Sequence, residues 1–390
     1  MLLQGVPKCS TILWKTNGIP AGKEYRNMKK NEIMMIHGTA YTAMTKQLMA
    51  AADFTNDYPN KKMRIGIKPN LVVAKPASSG ATTHPEIVAG VIEFLQENGY
   101  ENIEVLEGSW IGDLTSRAYA ASGIGDVCRK YGIPCHDLQK DTSTSVNAGG
   151  IPIKVCDKAL ALDLLINLPV LKGHCQTTIT CALKNHKGLI PNSEKRRFHT
   201  MGLHKPIAHL SAVFSNQFIV VDNICGDLDF EEGGNPVEMN RIYCCKDPVL
   251  CDSFVCDTMG YSISDVPYIP LAERLGVGTA DCSKAVITAL NEGTTDRLRN
   301  PSRRVSSLAR YVDDKDACSA CYGSLIYALN RLDESGQLRG KKEQICIGQA
   351  YRGQGGCIGV GNCTKGCDRS LKGCPPTAAE MVEFLEDNWY

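Results

Sequence analysis

The chain reads DLLINLPVL over residues 163–171, within the longest apolar run of the sequence, 159–171. A strand this continuously apolar is typical of a sheet buried on both faces, because neither row of side chains then contacts water. Lys172, Gly173 and His174 follow directly, so polar chemistry begins where the run ends. The stretch predicts a central strand that delivers polar residues to one edge of a sheet.

On both sides of this stretch, strand-like and helix-like patterns alternate. We predict strands at 33–36, 63–68, 103–107, 133–136, 151–155 and 218–222. We predict helices at 39–52, 83–98, 115–122, 124–131, 177–185, 249–261 and 283–292. Pro85 suits the first turn of its helix, since proline has no amide hydrogen to contribute there. This order predicts an α/β fold, doubly wound around a mainly parallel sheet.

The last quarter of the chain differs in composition. Seven of the nineteen cysteines lie between residues 318 and 374, after a polar, basic stretch at 300–304. Such a stretch is typical of a boundary between domains. We therefore predict an α/β domain over 1–300 and a cysteine-rich iron–sulfur module over 301–390.

Composition restricts the class of protein. The 390 residues carry a formal net charge of +1, with 43% hydrophobic and 22% charged residues, which does not indicate a nucleic-acid or anionic-membrane partner. No apolar run approaches the roughly 18 residues of a membrane helix, and the lysine-rich first thirty residues do not resemble a secretory signal. So many cysteines, in an odd number, favour a reducing cytoplasm, and specifically that of an anaerobe.

The cysteine spacing indicates a metal centre. Cys318 and Cys321 form a CxxC pair, Cys363 follows a Gly-Asn turn, and Cys374 lies between a glycine and two prolines. These four are our predicted ligands of one [4Fe-4S] cluster, with a four-thiolate zinc site as the alternative. The remaining thiols of the module are either spare or alternative ligands: Cys346, Cys357 and Cys367.

Cysteines elsewhere carry a weaker signal. Cys244, Cys245, Cys251 and Cys256 lack CxxC spacing, so we expect buried thiols and not a second metal site.

Polar side chains follow several of the predicted strands. Because ligands collect at the carboxyl ends of parallel strands, and because lysines and helix starts attract anions, these residues predict a site for a small anionic substrate or a redox partner protein. Lysine in a protected cleft can also act as a base or nucleophile. The candidate catalytic residues are Lys172, His174 and Lys184. The candidate substrate-binding residues are Lys68, Asn70, Thr83, His84, Asn185 and His199.

Four motifs resemble the family catalogued as domain of unknown function 362 (DUF362). They are IKPNL (67–71), THP (83–85), LINLPVLKGH (165–174) and LKNHKGLIP (183–191), and the resemblance covers residues 33 to 290. It implies an α/β fold. Many members carry CxxCxxCxxxCP runs, which this chain lacks. The chain is instead similar to an iron–sulfur subgroup with CxxC, Gly-Asn-Cys-Thr and Gly-Cys-Pro-Pro, which implies the ligand set Cys318, Cys321, Cys363 and Cys374.

The leading hypothesis is therefore a cytoplasmic iron–sulfur protein with a redox role, leaning towards an oxidoreductase. One [4Fe-4S] cluster would carry electrons, and the α/β body would bind a small anion or a redox partner. One alternative is a metal- or lysine-assisted isomerase or lyase that acts on a hydroxy acid and has a structural cysteine module. The other is a non-catalytic electron-transfer adaptor or zinc-binding protein.

Overall fold

A computed structural model describes residues 14–15, 28–293 and 304–390. Over these residues the chain forms a large, mostly parallel sheet with helices around it, which confirms the predicted α/β class. A smaller parallel sheet lies in the cysteine-rich region. The predicted boundary between residues 300 and 301 lies outside the described residues.

The strands, numbered in chain order, are β1 (Trp14–Lys15), β2 (Glu32–His37), β3 (Arg64–Pro69), β4 (Asn102–Glu107), β5 (Cys135–Asp137), β6 (Ser143–Ala148), β7 (Ile151–Cys156), β8 (Leu164–Leu168), β9 (Lys172–His174), β10 (Thr178–Thr180), β11 (Gln217–Asp227), β12 (Pro236–Cys245), β13 (Val286–Ala289), β14 (Val312–Asp314), β15 (Ile345–Ile347), β16 (Ile358–Val360) and β17 (Arg369–Leu371).

The α-helices are α1 (Tyr41–Ala51), α2 (Phe54–Asp57), α3 (Pro85–Glu97), α4 (Thr115–Ser122), α5 (Ile124–Tyr131), α6 (Asp157–Leu160), α7 (Ala182–Asn185), α8 (Asn192–Thr200), α9 (His204–Ser211), α10 (Pro248–Thr258), α11 (Tyr268–Arg274), α12 (Arg304–Ala309), α13 (Ser319–Glu334) and α14 (Ala378–Asn388). Short 3₁₀ turns complete several of the connections.

The large sheet has the strand order β1-β13-β2-β12-β11-β8-β3-β4-β5. Within it, β12 runs antiparallel to both of its neighbours, β2 and β11, and the other neighbours pair in parallel. Strand β8 lies between β11 and β3, and all five of its residues are buried. The apolar run therefore forms a central strand, as predicted. Because β3, β4, β8 and β11 run in the same direction, their carboxyl ends meet at one edge of the sheet.

Two predicted helices are wrong in part. Residues 177–185 begin as strand β10, which pairs antiparallel with β9, and only the final turn is helix α7. Residues 283–292 contain strand β13, which pairs in parallel with β2. The β-branched run from Val286 to Thr288 favours a strand, and pairing at the sheet outweighs the alanines and leucine around it. Strand β12, absent from the prediction, joins the sheet through a long hairpin with β11.

The cysteine-rich region has its own small core. Strands β14, β15, β16 and β17 pair in parallel in that order. Apolar side chains of α13 and α14, including Leu325, Leu329 and Leu385, pack with this sheet in a second buried cluster. Phe230, from the loop after β11, belongs to the same cluster and contacts Tyr327 edge-on, with ring centroids 5.7 Å apart. The large-sheet region therefore contributes a side chain to the smaller core.

Along the described ranges, no helix has both the length and the apolarity needed to cross a membrane. The predicted buried thiols are confirmed, because Cys244, Cys245, Cys251 and Cys256 are fully buried.

Candidate functional site

An open cleft of about 560 Å³ lies where the carboxyl ends of β3 and β4 meet the start of α13. Five of the predicted residues line it: Lys68, Asn70, Lys184, Asn185 and His199. Ser319 and Ala320, the two residues inside the CxxC motif, form part of its wall. The cleft therefore lies between the α/β body and the cysteine-rich region.

A buried ion pair forms the floor of the cleft. The ammonium group of Lys68 donates to Oε2 of Glu107 at 2.6 Å and to Oδ1 of Asn185 at 3.2 Å. Glu107 also accepts from the backbone amide of Gly108 at 2.7 Å. Burial lowers the pKa of Lys68, and the neighbouring Glu107 carboxylate opposes that change. The partners on both sides fix this lysine in place.

Two asparagine side chains connect Lys68, which lines the cleft, to Lys172, which lies behind it. Asn70 donates to Oδ1 of Asn185 at 3.1 Å and accepts from Lys172 at 3.2 Å. Lys172 also donates to two carbonyl oxygens, of Ala81 at 2.5 Å and of Glu231 at 2.9 Å. Burial lowers the pKa of Lys172 to about 7, although Glu231 raises it. Lys172 is fully buried and absent from the cleft wall, so the structure places it as a support behind the site.

Glu231 joins two other predicted residues. Its carboxylate accepts from Lys184 at 2.6 Å and lies 2.7 Å from Nε2 of His174. Nδ1 of His174 accepts from the backbone amides of Gln176 and Thr177, at 3.0 and 3.1 Å. Burial lowers the pKa of His174 to about 4, so the ring is neutral at pH 7 and its remaining hydrogen is on the nitrogen that faces Glu231.

Two further lysines enter the cleft. Lys195, on α8, donates to the carbonyl oxygens of Gly108 and Ser109, at 2.9 and 2.8 Å. Lys187 makes no hydrogen bond or ion pair with any residue that the structure describes. Burial, followed by repulsion from Lys184, lowers the pKa of Lys187 to about 7. An anion in the cleft would offset this repulsion and stabilise the protonated form of Lys187, which has no other partner in the described part of the chain.

His199 connects the cleft to the cysteines. Its Nε2 accepts a hydrogen bond of 3.3 Å from the backbone amide of Ser319, the residue after Cys318. Burial lowers the pKa of His199 well below its usual value, which keeps Nε2 able to accept. Its Nδ1 is buried without a hydrogen-bond partner among the described residues.

Thr83 and His84 lie outside the cleft wall. Thr83 accepts from the amide of Asn70 at 2.7 Å and donates to the carbonyl of Leu168 at 2.8 Å, so it joins two strand ends. Nδ1 of His84 lies 2.8 Å from the carboxylate of Asp222, and its Nε2 lies 3.9 Å from the sulfur of Cys225. The structure thus gives both residues protein partners away from the cleft.

The four predicted ligand cysteines lie near one another. Burial and, after it, the nearby sulfurs of Cys363 and Cys374 raise the pKa of Cys318 to about 11. Burial and the same neighbours also raise the pKa of Cys321. Cys318 precedes the first turn of α13, where backbone amides favour negative charge. Four thiols grouped around the start of α13 offer the donor type that suits a metal centre, and a bound metal would displace their protons.

Backbone contacts bring the two C-terminal ligands together. The amide of Asn362 donates to the carbonyl of Gly373 at 2.8 Å, and the amide of Gly373 donates back to Oδ1 of Asn362 at 2.9 Å. These two residues immediately precede Cys363 and Cys374. Gly361 has a φ of +91°, a backbone conformation that favours glycine. The glycines of the GNC and GCPP motifs therefore serve the turns that present these thiols.

Within the described part of the chain, one group of three residues has its metal-ligand atoms within 4.8 Å of one another: Cys181, Cys251 and Asp252. The sulfurs of Cys181 and Cys251 are 3.9 Å apart. The carboxylate of Asp252 already accepts from the amides of Ala182 and Leu183, at 2.7 and 3.3 Å, and so caps α7. Cysteine groups able to hold a metal thus occur in both regions, and this one is fully buried.

Four charged residues of the cleft were absent from the predicted site: Glu107, Glu231, Lys187 and Lys195. Glu107 and Lys187 each carried a signal, since one ends a predicted strand and the other lies in the LKNHKGLIP motif. Glu231 comes from the irregular loop after β11 and Lys195 from α8. No sequence pattern at either position indicates that the side chain reaches the cleft.

Comparison with known proteins gives relatives of limited similarity. A thylakoid-associated protein of Synechocystis sp. is 24% identical over 231 residues, which cover 55% of this chain and 68% of the relative. A crystal structure of a Thermotoga maritima protein matches with a TM-score of 0.39 and 16% identity, and the match spans 57% of this chain and 59% of that one. Residues 65–257, which carry most of the cleft, match the model of the family described as Domain of unknown function (DUF362), and the match supports this family for the α/β body.

Proposed function

We propose that the protein is an iron–sulfur redox protein that transfers electrons between one [4Fe-4S] cluster and a small anion bound in the lysine cleft. The observation that carries the proposal is the shared wall: Ser319 and Ala320 line the cleft, and they lie between Cys318 and Cys321. A ligand in the cleft would therefore touch the segment that holds two of the proposed ligands. Cys318, Cys321, Cys363 and Cys374 are the proposed ligand set.

The spacing of these sulfurs supports a cluster over a single zinc ion. Tetrahedral zinc with Zn–S bonds of about 2.3 Å would hold its sulfurs roughly 3.8 Å apart. In the ranges 28–293 and 304–390, the group of three ligand atoms found within 4.8 Å of one another consists of Cys181, Cys251 and Asp252, so no three of the four module sulfurs lie that close together. A wider spacing fits a core of four irons, which separates its thiolates. When bound, such a cluster supplies or accepts electrons one at a time.

The cleft residues support an anionic ligand. Lys68, Lys184, Lys187 and Lys195 face two carboxylates, Glu107 and Glu231, which leaves an excess of positive charge when all four lysines are protonated. Lys68 and Lys184 are paired with those carboxylates, and Lys195 with carbonyl oxygens. Lys187 is therefore the lysine available to a carboxylate or phosphate. With a pKa of about 7, it can also give a proton to a ligand that gains electrons.

Metal analysis of protein purified without air tests the cluster. We expect about four irons and four sulfides per chain and a paramagnetic signal after reduction, as for one [4Fe-4S] centre. Stoichiometric zinc without iron, and no visible charge-transfer absorption, would contradict the proposal.

Anion binding tests the cleft separately. Inorganic phosphate, titrated calorimetrically into the iron-loaded protein, should bind more weakly to Lys187→Ala than to the unmodified chain, because the cation that lacks a partner is gone. Lys154→Ala is the matched control, since Lys154 is exposed on β7, away from the cleft. Equal phosphate affinity in both variants would show that Lys187 does not bind the anion.

A further inference from the structure

The remaining cysteines of the C-terminal region form a second sulfur group at the opposite end of the small sheet. Cys357 immediately precedes β16, and Cys367 lies two residues before β17. Cys363 and Cys374 follow the carboxyl ends of the same two strands. Because β16 and β17 run in parallel, the sheet separates the two sulfur groups.

Within this second group, two thiols are in direct contact. The sulfurs of Cys357 and Cys367 are 2.6 Å apart. Cys346, on the neighbouring strand β15, packs with both of them. Bonded disulfide sulfurs are about 2.05 Å apart, so a small approach would join the pair.

One member of the pair is reachable from solvent. Residues 352–356 form an exposed, glycine-rich loop, and Cys357 follows it as a half-buried residue. Asp368 accepts from the amide of Gly356 at 3.2 Å, which holds the loop beside Cys367. Cys367 is only 8% exposed. The accessible sulfur of Cys357 thus has a shielded partner directly behind it.

We propose that Cys357 and Cys367 form a dithiol site that reduces a low-molecular-weight disulfide. The thiolate of Cys357 attacks one sulfur of the disulfide RSSR, forms a mixed disulfide and releases one RS⁻. The sulfur of Cys367 then attacks Cys357 and displaces the second RS⁻. The protons of the two cysteines end on the two thiols released, and the cysteines are left as a disulfide that holds two fewer electrons.

The geometry favours this chemistry over a metal site in the same place. A distance of 2.6 Å between two sulfurs is shorter than the roughly 3.8 Å that zinc with Zn–S bonds of about 2.3 Å would impose. The three sulfurs of Cys346, Cys357 and Cys367 are also not among the ligand groups within 4.8 Å found in the described residues. The arrangement is a pair with a third thiol alongside.

Thiol trapping with glutathione disulfide tests the site. The full-length protein, purified without air, is incubated with the probe, quenched in acid, alkylated and digested for mass spectrometry. We expect a peptide crosslink between Cys357 and Cys367 and the release of about two glutathione molecules per chain, the stoichiometry of complete exchange.

Two variants make the result specific. In Cys367→Ser we expect glutathione to remain attached to Cys357, because the second displacement is lost. In Cys346→Ser we expect the crosslink to form as in the unmodified chain, and far-ultraviolet circular dichroism verifies that both variants fold. Two outcomes would overturn the proposal: a stable glutathione adduct on Cys357 in the unmodified chain, or thiols at 357 and 367 that resist alkylation until a chelator removes a metal.

Discussion

The backbone amide of Ser319 donates a hydrogen bond to Nε2 of His199, 120 residues earlier in the chain, over 3.3 Å. The bond joins α8 of the body to the first residue of α13, next to Cys318. A substitution of His199 should therefore affect the cysteines, and a substitution of the cysteines should affect the cleft.

Replacing His199 tests this connection. His199→Ala removes the acceptor of the Ser319 amide, and a lost hydrogen bond costs about 1 kcal/mol. We expect the iron-loaded protein to lose iron to a chelator faster in His199→Ala than in His199→Gln, whose amide oxygen can still accept. His136→Ala, on the distant edge strand β5, is the control and should behave like the unmodified chain. Identical rates in all four proteins would show that the bond does not support the cysteines.

The His84–Asp222 pair should make stability depend on pH. Burial opposes a charge on His84, but the carboxylate of Asp222, and contact with Cys225, outweigh it and raise the pKa to about 10. Between pH 6.5 and 10 the folded chain then holds a proton that the unfolded chain has released. This stabilisation is complete below pH 6.5 and is lost as the pH rises through 10.

Denaturation of the unmodified chain and of His84→Gln at several pH values measures the effect. The difference in free energy of unfolding between the two proteins should shrink as the pH rises from 6.5 to 10. A difference that stays constant over this range would mean that His84 is neutral in the folded protein.

Lys68 and Glu107 should be strongly coupled in a double-mutant cycle. Removing one partner of a buried ion pair typically costs about 3–5 kcal/mol, because the other charge is left without compensation. We expect Lys68→Met and Glu107→Gln each to lower the free energy of unfolding by an amount in this range, and the double variant to lose less than the sum. Additive losses in chemical denaturation would contradict the coupling.

Gly188 lies against the same ion pair. A Cβ atom at this position would overlap Oε1 of Glu107 and lie 2.7 Å from Nζ of Lys68. Gly188→Ala should therefore destabilise the protein by a few kcal/mol, as overpacking does in a rigid site. Gly125→Ala is the control, because residue 125 lies within helix α5, where alanine is favoured over glycine by about 1 kcal/mol, and its Cβ would come no closer than 3.3 Å to a neighbour, the carbonyl oxygen of Tyr119. A Gly188→Ala protein as stable as the unmodified chain would show that the pair can move.

Part of the site follows from local rules in the sequence. Lys68 and Asn70 end one parallel strand, and the run over residues 164–168 forms the next, so the convergence of their carboxyl ends was predictable. Lys184 and Asn185 reach the same place because the chain turns back at β10 into α7. Alternation and strand ends thus predict the edge at which the cleft forms.

The rest depends on tertiary contacts that a local pattern does not encode. His84 caps the start of a helix as predicted, but its ring turns to Asp222 on β11, a strand that is separated from β3 by β8. Lys172 follows the apolar run, yet its ammonium group donates its hydrogen bonds to carbonyl oxygens behind the cleft. Glu231 reaches Lys184 from an irregular loop. Which polar residue faces the cleft and which supports it is decided by these long-range partners.

The division of the seven C-terminal cysteines yields the sharpest test of the ligand set. Cys363→Ser removes a sulfur from the group that includes Cys318 and Cys374, and serine is a much weaker iron ligand than thiolate. We expect iron per chain to fall steeply in Cys363→Ser and to stay unchanged in Cys346→Ser, because Cys346 belongs to the other sulfur group. Iron analysis and visible absorption of both proteins, purified side by side without air, measure this. Equal iron loss in the two variants would mean that the sheet does not separate ligands from other thiols.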